Sequence, residues 1–101
     1  MVLHVDPRHL QAVQKILAEI IPDRTLWVFG SRAHGVNLKP YSDLDLAVMG
    51  DQPLELSTSV RLKDAFSESN LPFKVDIVQW CELDETFKDI IRKNYVELKS
   101  K

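Results

Sequence analysis

Cysteine is almost missing from this sequence. Cys81 stands alone among 101 residues, so no internal disulfide can form, as expected of a reducing compartment. With His4, His9 and His34 it shows no zinc-ligand spacing. An excess of one charge is also lacking. Thirteen Lys and Arg against fifteen Asp and Glu leave a formal net charge of −2, which does not suit a duplex-binding module. No apolar run approaches the roughly 18 residues of a membrane span. The opening MVLHVDPRHL carries no signal-peptide pattern. There are no repeats, low-complexity tracts or linkers. These absences predict a cytoplasmic single domain, 1–101, that binds neither membrane nor duplex nucleic acid.

What is present reads as alternating helices and strands. DPRHLQAVQKILAEII predicts a first helix, with Asp6 as N-cap, Pro7 at the first helical position and Leu10, Val13, Leu17, Ile20 and Ile21 as its apolar stripe. The β-branched and aromatic run Thr25–Phe29 predicts a strand that turns at Gly30 and Ser31 into a short helix. VNLKPYS reads as a loop and Asp43–Met49 as a second strand. A helix is expected within Leu54 to Glu68, with Val60, Leu62, Ala65 and Phe66 inward. Phe73–Trp80 predicts a third strand, and Asp84 to Tyr95 a last helix with Phe87, Ile90 and Ile91 inward. The expected fold is α/β: a small, mixed, twisted sheet with helices packed mainly on one face.

Two carboxylates interrupt this economy. Asp43 and Asp45 stand two apart where a buried strand begins, and burying either without a partner costs several kcal/mol. Side chains alternate along a strand, so Leu44, Leu46 and Val48 point to one face and both aspartates to the other. Asp76 repeats the pattern between Val75 and Ile77. If the second and third strands are neighbours, three carboxylates converge. Such a cluster suits hard divalent cations, above all Mg²⁺ beside phosphates. An Asp-x-Asp pair by itself reads more readily as solvated strand-end charge than as a site, and it is the three aspartates together with the glycine turn that point to one. An EF-hand is excluded by the missing glycine and downstream ligands.

A strand ending in Phe-Gly-Ser and opening into a helix places backbone amides and a hydroxyl where a phosphate can sit. Gly30 allows close approach and Ser31 offers a donor. No Gly-Lys-Ser/Thr follows, so this is not a Walker A loop.

Together, GSRAHGVNLKPYSDLDLAV resembles the signature of the polymerase-β-type nucleotidyltransferases: a Gly-Ser turn, a spacer, then Ser-Asp-x-Asp-Leu. Asp76, in KVDIVQW, stands where that superfamily carries its third carboxylate. The Gly-Ser-Arg-Ala-x-Gly form and the short chain resemble the minimal nucleotidyltransferases, which pair with all-helical HEPN proteins. The match spans Thr25 to Tyr95 and departs at His34, where toxin-associated members often carry a basic residue.

The resemblance implies the polymerase-β-like core and nucleotidyl transfer, with ATP as substrate. It implies that Gly30 and Ser31 hold the triphosphate, with Arg32 and Ser42 as further nucleotide-binding candidates; Arg32 reads equally as a solvated helix arginine, and Ser42 more readily as a turn cap. Asp43, Asp45 and Asp76 are implied as catalytic ligands of Mg²⁺, two ions in all, with Asp76 assisting deprotonation of the acceptor. Little chain remains for a base pocket, so a HEPN-type helical partner in a hetero-oligomer is the expected supplier, with Trp80, Phe87 and Tyr95 as contact candidates. The expected reaction moves AMP to a tyrosine hydroxyl of that partner, as an antitoxin. The alternatives are transfer to a small molecule bound between the subunits, and a non-catalytic antitoxin-like binding module.

Overall fold

The computed structural model describes residues 3–35, 38–39 and 41–99, without the side chain of 99. The expected loop over 36–42 therefore lies partly outside the described residues. The chain runs α1 (Pro7–Ile20), β1 (Thr25–Phe29), α2 (Ser31–His34), β2 (Leu44–Val48), α3 (Leu56–Ser67), β3 (Val75–Gln79), a 3-10 turn (Trp80–Glu82), α4 (Glu85–Lys93) and β4 (Val96–Lys99). The sheet is mixed, in the order β3-β2-β1-β4. β1 is antiparallel to both β2 and β4, whereas β2 and β3 are parallel and joined through α3.

Local chemistry accounts for the helix ends. Asp6 caps α1 by accepting from the Arg8 amide at 2.9 Å, and Pro7 occupies the first turn, where its missing N–H costs nothing. Asp84 does the same for α4, accepting from the Phe87 amide at 2.8 Å.

Leu26 and Val28 of β1 and Leu44, Leu46 and Val48 of β2 point to one face. There they are sealed by Val13, Leu17 and Ile21 from the α1 segment and Leu62 and Phe66 from α3. Burying each such side chain contributes about 1.5–3 kcal/mol. Val60, expected inward, is 49% exposed. Leu62 and Phe66 already fill the α3 stripe, so Val60 falls on its outer side.

The opposite face is partly covered too. Trp27 stacks on Tyr95 with 3.8 Å between ring centroids, and Trp80 meets Trp27 edge-on. Phe87 of α4 meets Phe29 edge-on, and Ile91 is buried. Ile90, expected inward beside them, is exposed. The three aromatics named as partner contacts thus pack against the sheet, although Phe87 remains 39% exposed. The expected last helix ends earlier, at Lys93, and the chain then adds β4, which the sequence reading did not anticipate.

Candidate active site

The uncovered part of that second face holds the carboxylates. Asp45 and Asp76 are register partners across the parallel β2/β3 pair, and Phe29, the last residue of β1, is the partner of Asp45 on the other side. Neighbouring strands lie about 4.8 Å apart, so the two aspartates stand side by side. Asp43 sits one residue ahead of β2 rather than within it, and is exposed. It still acts on Asp45. Burial, then the charges of Asp76 and of Asp43, push the Asp45 carboxyl up to about 6.

Gly30 completes this corner. Its φ is +73°, and a Cβ there would run into the Asp45 carboxylate. Only glycine allows the end of β1 to pass so close. Ser31 opens α2 directly after it. Among the described residues no side chain caps that first turn, and the Ser31 hydroxyl has no partner. An anion can take both the hydroxyl and the amide.

Four carboxylate lone pairs on each of three aspartates form an all-oxygen donor set that suits Mg²⁺ in charge and hardness. As placed, however, no three His, Cys, Asp or Glu side chains among the described residues converge tightly enough for one ion. Asp76 instead pairs with Lys74 at 3.4 Å. A cation binding there would compete with this ammonium. Strand alternation puts residues 74 and 76 on one side, a signal that was available in the sequence.

Two expected nucleotide ligands are engaged in other contacts. Arg32 is only 6% exposed. Its Nε donates to the Ser42 carbonyl at 3.1 Å and its Nη1 to the His4 carbonyl at 3.0 Å, and its guanidinium lies over the Phe73 ring at 4.4 Å. Burial lowers its pKa. The Ser42 hydroxyl closes a turn, accepting from the Lys39 amide at 2.8 Å. His34, where the sequence departs from the family pattern, is exposed in the last turn of α2.

The glycine turn, Asp43 and Asp45 around the start of β2 and Asp76 one strand on are the residues on which the sequence resembles the polymerase-β-type nucleotidyltransferases. Residues 11–101 match the family described as "Polymerase beta, Nucleotidyltransferase". The chain belongs to it. This nucleotidyltransferase is 46% identical over 99 residues, 98% of its length, to "Probable protein adenylyltransferase MntA" of Haemophilus influenzae, of which it covers 86%. Its fold also resembles a solved chain described as "Crystal structure of the toxin-antitoxin with AMP-PNP", with a TM-score of 0.69. The two are 22% identical, and the similarity covers 87% of this chain and 70% of that one.

Proposed function

We propose that this nucleotidyltransferase moves AMP from ATP to a tyrosine hydroxyl on a helical, HEPN-type partner and acts as its antitoxin. The observation that carries the reading is the corner where Gly30 admits the Asp45 carboxylate and Asp76 stands beside it. The relative named as a protein adenylyltransferase supports AMP as the group moved and a protein as acceptor. The solved toxin–antitoxin relative, crystallised with AMP-PNP, lends support to a toxin partner and an adenine nucleotide.

In this reading, Ser31 and the amides after Gly30 receive the triphosphate. Asp43, Asp45 and Asp76 would hold Mg²⁺, which when bound neutralises phosphate charge and orients the reacting oxygens. The remaining steps belong to the chain and its substrates. The acceptor oxygen bonds to the α-phosphorus as the bond to the bridging oxygen breaks, and pyrophosphate leaves. The acceptor proton passes to the Asp76 carboxylate, which is half-exposed at the sheet edge and reachable from solvent. Alignment and charge neutralisation lower the barrier without a covalent enzyme intermediate.

One observation favours a second reading. A cleft of about 520 Å³ has Asp76 on its wall, together with Lys63, Ser67, Ser69 and Lys74. Phe66, Leu71 and Phe73 add an apolar lining to these groups, so an amphipathic small molecule bound there would lie beside Asp76. Intact-mass spectrometry of the partner after incubation with ATP and Mg²⁺ separates the two. An AMP-sized gain supports the protein acceptor. Pyrophosphate release without a gain moves the acceptor to a small molecule, and neither result, with a complex still forming, leaves a binding module.

A further inference from the structure

Arg32 is spent on contacts that have a common address. Its Nε bond ends on Ser42, the residue immediately before Asp43. Its guanidinium face rests on Phe73, and the next residue, Lys74, accepts from the Leu44 amide at 2.9 Å, directly after Asp43. Its own backbone lies in α2, one residue after Ser31. Its Nη1 bond to the His4 carbonyl is returned by the His4 amide, which donates to the Arg32 carbonyl at 2.8 Å. One buried cation therefore touches the phosphate turn, the Asp43 loop, the entry to the Asp76 strand and the segment ahead of α1.

The choice of arginine is physically specific. A planar guanidinium donates in fixed, divergent directions from Nε and Nη1 while its face stacks on an aromatic ring. An ammonium has neither the fork nor the face. Removing the group would also strand two carbonyls that now accept from a charged donor, each such bond being among the stronger ones in a protein.

We propose that Arg32 is a positioning residue: it sets the Asp43 loop and the β3 entry relative to the Gly30–Ser31 turn, so that the three parts of the site meet a metal–nucleotide complex together. This role rests on the nucleotidyl-transfer reading above. Arg32 touches no reacting atom in this account. It acts through Ser42 and Phe73.

The test uses the full chain with Arg32→Lys, Phe73→Leu and, as a control, Leu98→Ala. Leu98 is buried on β4, at the far side of the sheet from β3. All are studied at a temperature where each is fully folded. Amide hydrogen exchange at Ser42 and Leu44, without nucleotide, is expected to quicken roughly tenfold or more in Arg32→Lys and less in Phe73→Leu, relative to the control. Affinity for Mn²⁺–ATP, by calorimetry, is expected to fall in the same order while Leu98→Ala keeps the wild-type value. Unchanged exchange at both amides in Arg32→Lys overturns the proposal, whatever the nucleotide does. Equal losses in the control overturn it too, because stability alone would then explain them. If wild-type protein ignores Mn²⁺–ATP, the nucleotidyl-transfer reading falls, and the exchange data still decide whether Arg32 holds the loop.

Discussion

Asp45 on β2 and Asp76 on β3 are partners in a parallel strand pair, so two like charges share one side of a sheet in a molecule with few residues to stabilise it. Below about pH 6 the fold relieves the repulsion by protonating Asp45, whose carboxyl is pushed up to about 6, and part of it is relieved through Lys74, whose ammonium reaches Asp76. A bound cation would relieve the rest.

The protonation has a definite sign. The folded value for Asp45, about 6, lies above the ordinary 3.8 that the unfolded chain keeps. Its contribution to stability is complete at low pH and is lost as pH rises through about 6. In chelator, Asp45→Asn is expected to melt close to wild type near pH 4 and above it near neutrality. Mg²⁺ with ATP is expected to raise the wild-type melting temperature chiefly above about pH 6, once the carboxylate is ionised, and to do little for the variant. Melting curves across that range check both. Parallel wild-type and variant profiles would remove Asp45 from its assigned role.

Gly30→Ala tests the close approach. The new methyl group meets the Asp45 carboxylate, and the φ of +73° is unfavourable for alanine whatever space exists. Such strain costs on the order of 1–3 kcal/mol. A urea titration is expected to show a loss of that size, and nucleotide binding is expected to vanish even where the variant is folded. A variant that binds Mg²⁺–ATP normally would show that the end of β1 is not part of the site.

The carboxylate corner was legible because it rests on local rules. Alternation along DLDLAV and VDIV places Asp45 and Asp76 opposite the apolar residues whichever way the strands pair. Glycine at a strand end announces a turn. What stayed hidden depends on partners far away in the chain. Arg32 is buried because carbonyls of His4 and Ser42 and the ring of Phe73 surround it, and nothing in SRAH reports that. Val96 and Leu98 alternate correctly, but a strand of four residues is confirmed only by its pairing with β1. Val60 and Ile90 were misplaced because their helices carry more apolar residues than the buried stripe can take.

Lys74 is expected to compete with metal. Its pairing with Asp76 is exposed, and exposed pairs contribute at most about 1 kcal/mol. Lys74→Gln should therefore tighten Mg²⁺ binding by no more than about fivefold. Titration of the nucleotide-free protein with Mn²⁺, followed by water-proton relaxation, measures this directly. Weaker binding in the variant would mean that Lys74 helps the site rather than occupying it.

Asp76→Asn separates chemistry from assembly. The substitution keeps the size of the side chain and its place on β3, but removes the charge and the ability to accept a proton. If the proposed partner binds away from the carboxylate corner, affinity by light scattering or calorimetry is expected to stay near wild type. Transfer of AMP is expected to fall by two orders of magnitude or more, since general-base assistance alone contributes roughly 10²–10⁴-fold. The asymmetry is the discriminating result. Equal loss of transfer and of complex would make Asp76 a structural or interface residue. Full activity in the variant would leave the acceptor proton to another group, with Asp45, the register partner of Asp76, the next to test.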